Sequence, residues 1–295
     1  MKRGGFLGHV AWTGAGIAYT LSATGLFTGR GIAQGMGADV DFVQISDSHI
    51  GFHQPANPDV TATLRQSVNA INALPKQPAF VVHTGDITHL STPSQFDDAR
   101  AVLSQLKAPL IALPGEHDVI GNDFKPYLTN FKIPQSTAGG WASWDASGVH
   151  YIVLLNVFNF EKMGLLGSEQ LAWLAKDIAS VSAITPVVVF THVPLYALFP
   201  EWGWTTEDGA KAIALLRKFD RVTVLNGHIH QIVTHTDGNL RFASADATAY
   251  PQPKPGTAAK PGPMTLPHGD LLHAIGYRTV EVSAGTATIE DHSLG

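Results

Sequence analysis

Five places in the chain set side chains suited to metal chemistry at short spacings: Asp47-x-His49, Gly85-Asp86, Gly115-Glu116-His117-Asp118, His192 and Gly227-His228-x-His230. Carboxylates and imidazoles are the oxygen and nitrogen donors that hold divalent cations. The chain has 14 histidines and no cysteine, so thiolate ligands, disulfides and cysteine nucleophiles are excluded. Any metal must be held by nitrogen and oxygen. Taken singly, each piece is weak, because an Asp-x-His belongs to many loops and a Gly-Asp after an apolar run is commonly a turn. His228-x-His230 says more: alternate residues of an extended segment point the same way and could clasp an ion from one side.

The elements that must position these groups give the pieces a common logic. Short apolar runs at residues 40–45, 79–82, 110–113, 187–190 and 222–225 read as buried strands, and each of the five ligand-bearing segments lies just past the end of one of them. Helical spacing of apolar residues marks 59–74, 93–106, 168–180 (with Ser168 as its cap) and 206–219. Strand, helix, strand, helix, strand in the first half implies parallel pairing, hence an α/β fold. In such sheets ligands bind at the carboxyl ends of the strands. Residues 141–144 and 149–155 read as an antiparallel pair, and 232–236 with 240–243 as a hairpin around Asp237-Gly238. The last strands fall at 277–282 and 286–290, after an irregular stretch, 250–267, that carries six prolines.

With 44% hydrophobic and 15% charged residues the chain is globular, and its net charge of -5 gives no electrostatic ground for nucleic acid as a partner. Residues 1–38 differ in composition: Lys2 and Arg3, then a weakly apolar, Gly-, Ala- and Thr-rich stretch without an acidic residue. That layout is expected of an export signal and resembles a twin-arginine leader, with Lys2-Arg3 for the arginine pair and Phe6-Leu7 one residue too far on. A disordered tail or a membrane anchor, the one place for membrane contact, is the alternative. Residues 39–295 are expected to form one domain, since no linker interrupts them.

Asp47-x-His49, Gly85-Asp86, Gly115-Glu116-His117-Asp118, His192 and Gly227-His228-x-His230, in this order, resemble the signature of the calcineurin-like metallophosphoesterase superfamily over about residues 41–243. The resemblance implies a two-sheet β-sandwich flanked by helices and two metal ions, Mn, Fe, Zn or Co. It implies that Asp47, His49 and His230 hold one ion, Asp86 bridges both, and His192 and His228 hold the second. His117 would face the substrate with Asp118 behind it, fixing its ring. The expected reaction is hydrolysis of a small phosphate ester, a phosphodiester foremost and a nucleotide-like one among them, by a metal-bridging hydroxide. A phosphomonoesterase and a non-catalytic metal-binding or sensing protein of the same fold are the alternatives. One position departs from the pattern: where the family has Asn, this chain has Glu116, which can still donate an oxygen to the second ion but adds a negative charge. Around the site, Tyr196, Phe199, Trp202 and Trp204 form an aromatic cluster that could wall the substrate, Trp202 and Trp204 above all. The competing reading is that these rings cap the core. Thr191 and Asn226 are expected to support the ligands, and His53, His83, His89 and His150 to be ordinary histidines, with His89 worth attention three residues past Asp86.

Overall fold

The computed structural model describes residues 16–21, 27–32, 40–122, 124–131, 133–158, 163–267 and 269–295. The expected export segment lies outside these residues apart from β1 (Gly16–Leu21) and β2 (Phe27–Ile32), which pair antiparallel. Among the described residues no helix is long and apolar enough to cross a membrane.

From β3 (Val40–Ile45) onward the chain builds two sheets. In the first, β3, β4 (Phe80–His83) and β5 (Leu110–Ala112) run parallel, the late strand β12 (Gly276–Ser283) adds antiparallel beside β3, and β13 (Thr286–Ser293) adds antiparallel beside β12. In the second, β7 (Val149–Val153), β8 (Val187–Phe190), β9 (Val222–Asn226) and β11 (Leu240–Ser244) run parallel. That sheet is edged by the antiparallel strands β6 (Ala142–Ala146) and β10 (Val233–Asp237).

Strands that alternate two apolar faces are buried on both sides, and this gives four layers. Val82 and Phe42 point between the sheets, where they meet Tyr151, Val153, Phe190 and Leu225. Phe42 stacks on Phe80 at 4.9 Å and meets Phe190 edge-on at 5.6 Å. Val43, Ile45 and Val81 point outward against α1 (Val60–Asn72) and α2 (Pro93–Leu103). Ile152, Val189 and Val224 do the same against α4 (Ser168–Asp177) and α5 (Gly209–Leu216), while α3 (Lys125–Asn130) follows β5. The helices start where local chemistry directs. Asp59 caps α1 by accepting from Ala62 N at 3.0 Å, and Thr92 caps α2 just ahead of Pro93.

Most elements differ from the sequence reading by a few residues at their ends, and two helix starts differ for an identifiable reason. Ser168 is the first helical residue of α4 rather than its cap; the Asp208 carboxylate instead accepts the N–H groups of Leu166 and Gly167 at 2.8 and 2.9 Å. For the same reason α5 starts at Gly209 instead of 206, because Asp208 is engaged across the chain and Thr206 donates to Pro194 O. Residues 250–267 hold neither helix nor strand, as six prolines require.

One buried side chain joins the sheets near their late strands. Arg278 of β12 donates to Ser244 O of β11 at 2.8 Å and to Asp291 at 2.6 Å, with Gln44 and Ala243 O at 3.3 Å. A guanidinium with its donors spread over both sheets is tolerated at 1% exposure because each of its three nitrogens has an acceptor.

Candidate metal centre

The carboxyl ends of β3, β4 and β5 in one sheet and of β8 and β9 in the other converge at one edge of the sandwich. They carry Asp47 and His49, Asp86, Glu116, His192, and His228 and His230, every one of them buried. Two groups of donors form there. Asp47, His49 and His230 place one ligand atom each within 4.8 Å of one another, as do Glu116, His192 and His228. Between them stands Asp86. Its Oδ1 accepts the His117 backbone N–H at 2.9 Å, and its Oδ2 lies 3.5 Å from His49 Nε2 and 3.6 Å from His192 Nε2.

The histidines are oriented by the atoms behind them. His192 Nδ1 donates to Thr84 O at 2.7 Å and His230 Nδ1 to Tyr250 O at 2.6 Å; a carbonyl only accepts, so each ring presents an Nε2 lone pair to the site. His230 Nε2 then faces His49 Nε2 at 3.2 Å, two imidazole nitrogens that either share a proton or turn their lone pairs toward one cation lying to the side of both. On the other side His192 Nε2 approaches Glu116 Oε2 to 2.8 Å and His228 Nδ1 approaches Glu116 Oε1 to 3.0 Å. Even so, His192 Nε2, Glu116 Oε2 and both His228 nitrogens lack hydrogen-bond geometry to any partner. Buried polar atoms aimed past one another toward a common point fit a cation, the one species that would satisfy them together.

The backbone is held in an unusual form to achieve this. Asp47, His49, Asp86, His228 and His230 have φ of 52°, 43°, 54°, 69° and 49°, the left-handed region that L-residues avoid. Each costs about 1–3 kcal/mol, and such residues persist only where the surroundings impose them. Cross-loop hydrogen bonds do so here: Asp47 N donates to Gly85 O, His49 N to Asp86 O, and His228 N to the Asp47 carboxylate. Glycine is needed at two close approaches: a Cβ on Gly115 would lie 2.1 Å from Asp86 Oδ1, and one on Gly227 2.0 Å from Ser46 Oγ and 2.6 Å from Asp47 Oδ2.

The electrostatics follow from packing so many groups without water. Burial works to raise the Asp47 carboxyl, but His230 and its neighbours bring it down to about 2. Glu116 is likewise held well below its ordinary value by His228 and His192 against the effect of burial. His192 is driven upward by Asp86 and Glu116, also against burial. His49 goes the other way, lowered well below its ordinary value by burial and by the rings of His117, His230 and His89. Carboxylates in the anionic form are the state a metal requires.

Several sequence expectations change at this level. His228 and His230 do not clasp one ion from one side, because both leave the extended conformation and their ligand atoms go to different groups. Asp118 does not stand as the partner of His117 Nδ1, which pairs with His89 O at 2.8 Å. Both Asp118 oxygens instead accept from Ile87 N, Thr88 N, Thr88 Oγ1 and Gly115 N at 2.8–3.0 Å, so Asp118 fastens the β4 loop to the β5 loop. Burial, with Asp86 nearby, raises its carboxyl to about 7. Trp204 is 1% exposed, packed against Trp202, and offers no face to a substrate; Trp202 is half-buried with Phe199 against it.

Two residues enter the site that the motifs did not single out as ligands. His89 stacks on His117 at 5.0 Å with its Nδ1 3.4 Å from His49 Nδ1, and Tyr250 stacks on His49 at 5.0 Å. His83 is buried, lowered to about 3 by that burial, and paired with Ser48 Oγ at 2.9 Å. His150 pairs with Asp145 and Asp177 on β7, at the other end of that strand from the site. Of the supporting residues, Thr191 Oγ1 donates to Val193 O and Asn226 Nδ2 to Gly227 O, and Asn156 takes the larger share by accepting from His192 N and Val193 N.

A four-layer α/β sandwich with two donor triads joined by one carboxylate at the shared edge of its sheets defines a metal-binding enzyme fold. Comparison with known proteins makes the family explicit. Residues 40–232, more than half of the chain, match the family described as Calcineurin-like phosphoesterase. The chain is similar, at 26% identity over 73% of its length and 78% of the relative's, to a glycerophosphodiester phosphodiesterase of Enterobacter lignolyticus. It is also similar, at 26% identity over 72% of its length and 69% of the relative's, to a cAMP/cGMP dual specificity phosphodiesterase of Mycobacterium tuberculosis. Among solved structures, a dimetal phosphatase from Danio rerio superposes with a TM-score of 0.66 at 14% identity, covering 87% of this chain and 96% of that one. The chain belongs to the calcineurin-like phosphoesterase family, and is a metal-dependent phosphoesterase.

Because only the folded site gathers these donors, added cation should stabilise the folded state, by about 2.7 kcal/mol at a hundredfold excess over Kd. In thermal melts of EDTA-treated protein, Mn(II) is expected to raise the midpoint, and Asp86→Asn to abolish most of the rise. An equal rise in the variant would contradict Asp86 as a cation donor.

Proposed function

We propose that the protein hydrolyses small phosphodiesters with two cations, one held by Asp47, His49 and His230, the other by Glu116, His192 and His228, and Asp86 shared between them. The observation that carries this reading is the position of Asp86 Oδ2, nearly equidistant from His49 Nε2 and His192 Nε2 at 3.5 and 3.6 Å. Cations held there would supply Lewis acidity toward the phosphoryl oxygens and a water acidic enough to attack phosphorus near neutral pH. A diester as substrate is supported by relatives named for phosphodiesterase activity, on glycerophosphodiesters in one case and cyclic nucleotides in another.

The chain's own residues do the rest. His117 sits with a ligand atom within 4.8 Å of those of Asp86 and Glu116, and His89 stacks against its ring. Burial lowers its proton affinity, but Asp86, Glu116 and the His89 carbonyl outweigh that and hold it above the ordinary imidazole value. With Nδ1–H committed to His89 O, the proton to be given to a leaving alkoxide is the one on Nε2. Asp118 locks the two loops that carry Asp86 and His117 in register.

Tested with Mn(II), bis-p-nitrophenyl phosphate should be cleaved faster than p-nitrophenyl phosphate; the reverse order makes the protein a phosphomonoesterase, and cleavage of neither refutes hydrolysis. His117→Ala should lower kcat on a dialkyl phosphodiester, whose alkoxide needs a proton to leave, by about 10²–10⁴ with metal content unchanged, the range of a lost general acid. Loss of metal with the ring would instead make His117 a ligand.

Glu116 adds a third carboxylate where the resemblance leads one to expect a neutral amide. An extra anion makes the centre less positive and so a weaker acidifying field. In Glu116→Asn the rising limb of the pH–rate profile should move to lower pH. A limb that stays in place, with unchanged metal content, removes Glu116 from the tuning of the site.

A further inference from the structure

Each histidine that turns Nε2 into the centre is backed at Nδ1 by another group, and one backing differs in kind. His192 and His230 stand against the carbonyls of Thr84 and Tyr250, which can only accept. His49 stands against a side chain: its Nδ1 lies 3.4 Å from Nδ1 of His89 and pairs with no other group among the described residues. An imidazole nitrogen can donate or accept, so the tautomer of His49 depends on that of His89. The His89 ring is held in place for this contact. Its backbone N–H donates to Ile50 O at 2.9 Å, and its carbonyl accepts from His117 Nδ1 at 2.8 Å. Its ring lies parallel to that of His117 to within 15° and meets Phe52 edge-on at 5.2 Å.

The protons along this line allow two arrangements. His230 spends its proton on Tyr250 O, so in the 3.2 Å contact between His49 Nε2 and His230 Nε2 only His49 can donate. A neutral His49 protonated at Nε2 has its lone pair at Nδ1, and His89 then donates to it from Nδ1. A cation held by Asp47, His49 and His230 needs both Nε2 lone pairs. His49 then carries its proton on Nδ1 and can place it only on His89 Nδ1, which must be bare, leaving the His89 proton on Nε2.

We infer that His89 is the positioning residue of this cation's site, and that cation binding reverses the hydrogen bond between His89 and His49. One proton crosses from His89 Nδ1 to His49 Nδ1. His49 Nε2 releases one to water and His89 Nε2 takes one from water, so both rings stay neutral. The half-buried His89 ring thereby changes from acceptor to donor at Nε2, beside His117. This inference rests on the assignment of Asp47, His49 and His230 to one cation and does not require hydrolysis.

Two measurements on the full chain, neither needing turnover, test it. In protein labelled with nitrogen-15 histidine, with the His89 signals identified by their loss in His89→Asn, NMR should find the His89 proton on Nδ1 after EDTA treatment and on Nε2 once Zn(II) is added. The same tautomer under both conditions overturns the reversal. Calorimetric titration with Mn(II) reads the positioning. His89→Phe keeps a ring against His117 but offers no lone pair, and one of the two cations should bind about 10–100-fold more weakly, the usual effect of losing the group behind a ligand histidine. His89→Asn places Oδ1 where Nδ1 stands and should recover most of that affinity. A ring that serves packing alone gives the opposite order, Phe harmless and Asn weak; that order, or equal affinity in all three proteins, overturns the role. Wild-type protein that binds two Mn(II) yet cleaves neither nitrophenyl ester would refute the hydrolytic reading and leave His89 in place, whereas protein that binds no Mn(II) would overturn both.

Discussion

Lone pairs and negative charges brought within 3–4 Å of one another, away from water, repel unless something positive stands between them. At the shared edge of the two sheets the protein does this repeatedly: His49 against His230, Asp47 against His230, Asp86 against both His49 and His192, Glu116 between His192 and His228. Protons can quiet some of these pairs, as the raised affinity of His192 shows. They cannot quiet all, since His228 and Glu116 still present buried atoms without hydrogen-bond geometry. A cation removes the conflict for every group at once, and the remaining architecture can be understood as the means of holding the donors still until one binds.

That holding is expensive in backbone terms. Five of the donor residues sit at positive φ, and the strain is maintained by amides that hydrogen-bond from one loop to the next rather than within a loop. Asp118 is the clearest case. By receiving four hydrogen bonds from residues on two loops it makes the position of Asp86 depend on that of His117. The strands beneath are buried on both faces, so the loops ride on a base that cannot shift without opening the core. Preorganisation of this kind keeps donors near cation-binding geometry before the ion arrives.

Much of this was legible from the chain alone, and the rest was illegible for identifiable reasons. Short, mainly apolar runs reveal buried strands, and ligand-type residues just past Ile45, Val82, Leu113, Phe190 and Leu225 reveal which edge they share. Periodicity carries no information about the sign of φ, so the extended clasp expected of His228 and His230 gave way to a left-handed turn that sends the two rings to separate groups. Nor does it show which distant loops touch. Tyr250 reaches the site from a proline-rich stretch with no pattern of its own, and His89 gains its place only because the β4 loop folds over His117. Trp204 shows the same limit: an aromatic in this loop could wall a substrate or cap the core, and only the isolated bridge between Phe199 and Trp204, which turns the ring into the core, decides between them.

The central claim is that one carboxylate joins two cation sites. Anomalous scattering from crystals grown with Mn(II), collected at the manganese edge, addresses it without relying on turnover. Two peaks on either side of Asp86 Oδ2 are expected, one contacted by Asp47, His49 and His230 and the other by Glu116, His192 and His228. A single peak, or manganese bound away from Asp86, would contradict the account.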